Sequence, residues 1–183
     1  GVQTCALPIC TTLTYAPEEN YSGEDILEFS VSDGALSATA SVAIAVAPVN
    51  DAPVAQAAQA QTDEDVVLTL ELTATDIDGD ALTFALATPP AHGAATIDGN
   101  TLTYVPEANY GGGDALLFVA SDGALTDTAE VVLAITPIND APMAADQALE
   151  SDEDVVVLVE LIGSDIDGDA LTYAVQKIGR AHV

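Results

Sequence analysis

Basic side chains are almost missing from this chain of 183 residues, which sets 2 Lys+Arg against 30 Asp+Glu and carries a formal charge of −28. Nucleic acid and anionic lipid both need a basic surface, so neither is expected as a partner. Tryptophan is absent and aromatic residues make up only 4%. That suits thin β modules of Ala, Val, Leu and Thr better than one bulky core. No run approaches the ~18 apolar residues of a membrane-spanning helix, so direct membrane contact is not expected. Disorder is disfavoured too, since it needs low hydrophobicity as well as charge, and 49% of the residues are hydrophobic. A folded, acidic chain remains, and its natural partners are cations.

The two ends are set aside. Residues 1–9 and 177–183 can be encoded by DNA strings that are reverse complements over a long stretch, and both strings resemble a common sequencing adapter. Residues 1–10 and 177–183 are therefore expected to be read-through artefacts and are kept out of the fold reasoning. Lys177 and Arg180 are the only basic residues, so residues 10–176 hold none. Cys5 and Cys10 lie in or against the suspect stretch, and they say nothing about redox compartment. His92 is the one histidine left.

Between the ends the sequence repeats. Asn50-Asp51-Ala52-Pro53 recurs as Asn139-Asp140-Ala141-Pro142, and Asp76-Ile77-Asp78-Gly79-Asp80 as Asp165-Ile166-Asp167-Gly168-Asp169. Each offset is 89 residues, and residues 11–87 match 100–176 at 43 of 77 positions. Repeats of this kind decide the architecture. The reading is the C-terminal half of one repeat at 11–48, a complete repeat at 49–137, and the N-terminal half of the next at 138–176.

Within the complete repeat the hydrophobic period is two. Leu68, Leu70 and Leu72 alternate with Thr69 and Glu71; Leu82, Phe84 and Leu86 alternate with Thr83 and Ala85; Val131, Leu133 and Ile135 follow the same rule. Strict alternation means strands with one buried face. Asp98-Gly99-Asn100, between Ile97 and Leu102, predicts a hairpin, because these residues accept positive φ cheaply. About seven short strands with no helical period predict an all-β fold of tandem Greek-key β-sandwiches, cadherin- or immunoglobulin-like.

Three stretches carry a more specific likeness: Thr75–Phe84 with its Asp76-Ile77-Asp78, then Ser121-Asp122-Gly123, then Pro137-Ile138-Asn139-Asp140-Ala141-Pro142. Together they resemble the cadherin superfamily, in its bacterial version of tandem modules in large surface adhesins. The resemblance implies extended chains of sandwiches with Ca²⁺ held at the junctions, and adhesion or spacing in place of catalysis. It implies Glu64 as the acid near the start of the module, Asp76 and Asp78 as the Asp-x-Asp pair, Asp122 as the later aspartate, and Asn50-Asp51 and Asn139-Asp140 as linker ligands. Asp165 and Asp167 repeat the pair. Pro48 and Pro137 stand where such linkers often carry an acid, and Ala52 and Ala141 replace a further Asn. The mid-module acidic motif is not recognisable, with Asp25 and Asp114 its only candidates. One or two ions per junction are therefore expected, fewer than three.

The chemistry of the residues points the same way. Ca²⁺ is a hard cation taking six to eight oxygens. Asp76, Asp78 and Asp80, like Asp165, Asp167 and Asp169, fall within five residues around a glycine that permits a tight turn. Several carboxylates can thus meet at one point, where without a cation they repel by about 1 kcal/mol per pair at 4 Å in water. The spacing is not that of an EF-hand, which wants Gly sixth and Glu twelfth. Blander readings stay open: a solvated Asp-Gly-Asp turn, a stiff Asn-Asp-Ala-Pro linker, and Asp122 as the cap of a Ser-Asp-Gly turn. Tyr21 and Tyr110 are expected at a sandwich corner, and His92 as structural or solvated.

An enzyme is not expected. With no Lys or Arg in 10–176 and one histidine, triads, Schiff bases and phosphate clamps are unavailable. A paired-carboxylate glycosidase is formally open but needs a deep cleft, for which a thin sandwich has little room. The preferred function is a calcium-rigidified structural or adhesion module of an extracellular or cell-surface repeat protein. Its partners would be calcium ions, neighbouring repeats, and surface glycans or proteins. The alternative is a carbohydrate-binding module, which would use an aromatic platform; the complete repeat offers only Phe84, Tyr104, Tyr110 and Phe118.

The lack of basic residues has a direct consequence. Trypsin is expected to leave residues 10–176 in one piece even when the chain is unfolded in a protease-compatible denaturant. Mass spectrometry of the digest checks this, and internal tryptic fragments would mean that the protein differs from its sequence.

Overall fold

The alternation seen in the sequence becomes strands wherever a second layer covers the apolar side. A computed structural model describes residues 12–176, and all the regular elements in them are β. The first two strands are β1 (Gly23–Ser32) and β2 (Ser37–Val46). Next come β3 (Val54–Ala55), β4 (Ala58–Asp63), β5 (Leu68–Glu71), β6 (Ala74–Thr75) and β7 (Thr83–Thr88). They are followed by β8 (Gly93–Asp98), β9 (Thr101–Pro106), β10 (Gly112–Ser121) and β11 (Thr126–Thr136). The last two are short, β12 (Met143–Ala144) and β13 (Gly163–Ser164). The expected adapter-like stretches 1–10 and 177–183 lie outside the described residues.

Residues 54–136 build a sandwich of two main sheets. One has the order β4-β11-β10-β7 and the other β5-β9-β8, with β3-β6 as a small third ladder. β4 runs parallel to β11, while the other pairs are antiparallel. Seven of these strands have four or more residues. This is an immunoglobulin-like Greek-key β-sandwich, the all-β class that the two-residue period predicted.

Its core is drawn from both sheets. Leu72, Leu102, Tyr104, Leu116, Phe118, Val131, Leu133 and Ile135 are buried in one cluster. Along β10 the buried positions are Asp114, Leu116, Phe118 and Ala120, every second residue, as a strand with one covered face requires. Phe84 and Phe118 meet with ring centroids 6.1 Å apart, within the range where tilted aromatic pairs attract. The β8–β9 hairpin turns at Gly99-Asn100, with Asp98 opposite Thr101. Gly99 has φ +60°, which a two-residue turn with glycine at its first loop position demands. Asn100 O then accepts the Leu72 N–H at 2.8 Å and ties the turn to the end of β5.

The flanking segments repeat this local geometry without its core. β1 and β2 pair from Gly23↔Val46 to Ser32↔Ser37, and β10 and β11 from Gly112↔Ile135 to Ser121↔Thr126, the same register 89 residues on. Positive φ recurs at Asn20 and Asn109, at Asp65 and Asp154, and at Gly79 and Gly168. Local sequence sets these features, so they survive alone. Burial does not survive: Phe29 is 44% exposed where its counterpart Phe118 is fully buried.

Phe118→Ala is accordingly expected to destabilise the main unfolding transition by about 3–5 kcal/mol. Phe29→Ala, the same position in the uncovered hairpin, should change it by less than about 0.5 kcal/mol. Urea unfolding of dilute protein, followed by circular dichroism because the chain has no Trp, compares the two.

Candidate metal-binding junctions

The loop after β6 folds around one of its own carboxylates. Asp76 Oδ1 accepts the N–H groups of Asp78 at 2.9 Å and Asp80 at 3.2 Å, and Gly79, at φ +79°, permits the tight return. Carboxylate oxygens of Asp76, Asp78 and Asp80 thereby come within 4.8 Å of one another. Asp78 Oδ2 accepts the Asp51 N–H at 2.7 Å and docks the preceding linker on the loop. Asn50 Nδ2 donates to Asp122 Oδ2 at 2.8 Å, which brings in the turn between β10 and β11. The N–H groups of Ala124 and Leu125, each 2.6 Å from Asp122 Oδ1, hold that turn. The Leu125 N–H, then Asn50, then the Ala124 N–H keep the Asp122 carboxyl below the ordinary aspartate value. Asp122 is thus both turn cap and junction residue.

The second junction repeats the arrangement. Asp167 Oδ2 accepts the Asp140 N–H at 2.7 Å, and Asp165 Oδ1 accepts those of Asp167 and Asp169 at 3.1 Å each. Asn139 Nδ2 donates to the Asp140 carbonyl at 2.8 Å. Glu64, 5% exposed, comes from the preceding sandwich and accepts the Ile138 N–H. Oxygens of Glu64, Asp140 and Asp167 lie within 4.8 Å of one another. Asn50, Asp51, Asp76, Asp78, Asp80 and Asp122 therefore stand at the first junction, and Glu64, Asn139, Asp140, Asp165, Asp167 and Asp169 at the second. Asp165 and Asp169 are not in the close set: Asp165 holds the loop through the N–H groups it accepts, and Asp169 takes part through its backbone.

Two oxygens carry chemical information. Asp76 Oδ2 and Asp140 Oδ2 are closed off from solvent and accept no hydrogen bond. A buried carboxylate oxygen left without a donor costs at least 1–3 kcal/mol, and here two further carboxylates stand beside each. The donors are all oxygen, which fits a hard cation such as Ca²⁺ and not a soft one.

Other residues fall into different roles. Asp114, a candidate for the mid-module acid, is 8% exposed. It accepts the N–H groups of Ala91, His92 and Ala115 and the Tyr104 hydroxyl, at 2.8–2.9 Å. Burial pushes its pKa up, but the three N–H groups and the hydroxyl outweigh it and hold the carboxyl below the ordinary value. Four donors leave it a structural anchor between β10 and the loop before β8. Asp25 accepts the Tyr15 hydroxyl at 3.0 Å, the same pairing in the flanking hairpin. Tyr110 bonds the Gly113 carbonyl at 2.9 Å and stacks on His92 at 3.9 Å. His92 Nδ1 lies 3.7 Å from Glu107. Glu19 and Asn20 escaped the sequence reading: they line a shallow cleft with Asp51 and Asp76. Asn20 recurs as Asn109, both with positive φ, but Ala108 replaces Glu19 one repeat later, so repetition did not mark Glu19.

Immunoglobulin-like topology and an Asn-Asp linker docked on an aspartate loop are thus combined in one unit. Residues 50–134 match the family described as the bacterial Ig domain. Among solved structures, endo-fucoidan hydrolase MfFcnA4 from glycoside hydrolase family 107 is 27% identical to this chain. The alignment covers 63% of this chain and 19% of that one, with a TM-score of 0.39. Endo-fucoidan hydrolase MfFcnA9 of the same family is 18% identical, over 73% of this chain and 27% of that one, with a TM-score of 0.37. The chain therefore spans about a fifth to a quarter of those enzymes, in superpositions too loose to transfer an activity. No curated protein matches the sequence.

Asp114→Asn is expected to cost about 2–3 kcal/mol at pH 7, since it replaces a charged acceptor of four hydrogen bonds. Because the folded-state pKa of Asp114 is depressed, its contribution is present above the ordinary aspartate value near 3.9 and is lost as pH falls through the lower folded value. The gap between native and variant stability should therefore narrow between pH 5 and pH 2, as read from urea midpoints across that range.

Proposed function

We propose that this chain is a non-catalytic spacer of an extracellular or cell-surface protein, in which Ca²⁺ at the Asn-Asp junctions stiffens the links between successive Ig-like sandwiches. The observation that carries the reading is the pair of solvent-excluded, donor-free oxygens, Asp76 Oδ2 and Asp140 Oδ2, each beside two further acidic side chains. Residues 10–176 contain no Lys or Arg to neutralise them. A divalent cation would relieve the repulsion and supply the missing partner at once. Asp76, Asp78, Asp80, Asp51, Asn50 and Asp122 would form one such site, and Glu64, Asn139, Asp140, Asp165, Asp167 and Asp169 the other.

A cation there would join groups from both sides of a linker, and so limit the angle between neighbours. Spacing or adhesion follows more readily than glycan recognition. In residues 49–137, Tyr104 and Phe118 are buried and Phe84 and Tyr110 half-buried, which leaves no aromatic platform on that repeat. The solvent-facing position of most of the ligands suits affinities of about 10⁻⁴–10⁻³ M, the range of extracellular modules, where calcium is abundant.

Calorimetric titration with calcium at physiological salt tests the reading. Binding in that range is expected, with a rise in melting temperature, because the ion binds only the folded cluster. The double variant Asp76→Asn, Asp78→Asn should lose the first site and keep the second, roughly halving the stoichiometry. Equal stabilisation by magnesium at equal concentration would reduce the effect to charge screening and overturn the proposal.

A further inference from the structure

Every open sheet ends in edge strands whose outer N–H and C=O groups can pair with another chain. In the sandwich of residues 54–136 the edges are β4 and β7 of one sheet and β5 and β8 of the other. Three of them carry features that discourage pairing. β7 has an extra residue, Ala87, because Thr88 faces Leu117 while Leu86 faces Phe118, and it runs into Pro89-Pro90. A bulge twists an edge away from a partner, and proline has no N–H to give. β8 begins close behind the same prolines and ends on Asp98. β5 stands between Asp63-Glu64-Asp65 and its own Glu71, and edge charges repel an approaching strand.

β4 has no such protection before Asp63. The eleven residues Ala52–Thr62 hold no charged side chain, in a chain with 30 Asp+Glu. Along the strand Ala58 and Ala60 are half-buried and Thr62 is buried, while Gln59 and Gln61 face solvent. Its ladder with β11 is regular from Ala58↔Val131 to Asp63↔Thr136. The fold does not require this neutrality. One repeat later the same positions read Asp146-Gln147-Ala148-Leu149-Glu150-Ser151-Asp152, with an acid in place of Ala57 and another in place of Gln61.

The edge is its own complement, and this names the occupant. Ala58-Gln59-Ala60-Gln61-Thr62 laid antiparallel on itself about Ala60 sets Gln59 opposite Gln61, Ala58 opposite Thr62, and Ala60 opposite Ala60. That register keeps the small inward residues on the core side of both copies and the glutamines on the solvent side, whereas a slip of one residue would not. Gln61 Nε2 donates to Thr136 Oγ1 at 3.0 Å, so the Gln61 amide keeps its oxygen for the Gln59 amide of the other copy. Charge is accommodated as well. The two Asp63 residues fall about 20 Å apart along the paired strands, beyond the screening length of ~8 Å at physiological salt. Glu130, beside the start of the β4–β11 ladder, stands two strand spacings, about 10 Å, from Asp63 of the other copy. The corresponding stretch one repeat later would set Asp146 against Asp152 and repel itself.

We infer that β4 is a self-association edge, on which two copies of this chain pair antiparallel about Ala60 and join their four-stranded sheets into one of eight. The contact uses the same residues on both sides, so it is two-fold symmetric and stops at the dimer. Five residues of edge pairing bury less than the ~1,200 Å² of a standard interface, so the dimer is weak and forms at high local concentration. Repulsion between the acidic chains opposes it and declines as salt screens them.

Sedimentation-velocity runs on the full chain test this, from micromolar to several hundred micromolar at physiological salt without divalent ions. The native chain should pass from 18.5 kDa to twice that mass and no further. Two double variants change only solvent-facing side chains of β4 and should leave the main thermal transition in place. Gln59→Lys with Gln61→Lys lowers the net negative charge yet sets like charges opposite each other, and should weaken the dimer about tenfold. Gln59→Lys with Gln61→Glu sets opposite charges face to face in the antiparallel register only, and should tighten it about fivefold. A native chain that stays monomeric, or one that runs past the dimer, would overturn the inference. So would a tighter dimer in the first variant, which is what relief of overall repulsion alone would give, or no gain in the second.

Discussion

Main-chain N–H groups held by carboxylates are the contact on which this molecule turns. In residues 10–176 no Lys or Arg is available to pair with an acid, so the acids that order the fold are met by the backbone. Asp76 gathers its own loop, Asp78 and Asp167 hold the linkers, and Asp122 closes the turn between β10 and β11. Glu64 takes the Ile138 N–H, Asp127 takes that of Ala55, and Asp114 joins a loop to the core. Such bonds are charge-assisted and stronger than neutral ones. They also need no long, entropically costly basic side chain.

That arrangement separates two classes of acid. Asp114 has every direction filled by a donor, and its charge is spent on structure. Asp76 and Asp140 each have one oxygen bare, and they sit at the linkers on either side of the sandwich. The difference is geometric: Asp114 lies in the middle of one domain, with N–H groups on all sides, whereas the junction oxygens face other carboxylates. The bare oxygens of the second class are the ones the proposed calcium sites would use, whereas Asp114 offers none.

Much of this could be read from the chain before any fold was drawn. The period of two located β5, β7 and β11, and Asp98-Gly99-Asn100 located the β8–β9 turn, because both depend on neighbours in sequence. The 89-residue offset paired Asp51 with Asp140 and Asp78 with Asp167, so the two junctions could be foreseen together. The parallel contact of β4 with β11 was not legible, since the residues of β4 alternate Ala and Gln without a strong apolar face. Nor was the role of Asp114, which depends on a loop over 20 residues away in sequence folding back on it. Glu19 was hidden for a different reason: it occurs once, and repetition was the signal being followed.

The parallel pairing of β4 and β11 also decides how the sandwich answers a pull. Tension applied through the two linkers draws β4 by its start and β11 by its end, along the line of both strands. The six residue pairs from Ala58↔Val131 to Asp63↔Thr136 are then loaded side by side and must give way together. In the β10–β11 hairpin a force at the open end would part the pairs one after another. The direction in which these strands are joined therefore makes the domain a stiff link under load, with its resistance set by how many hydrogen bonds break in a single event.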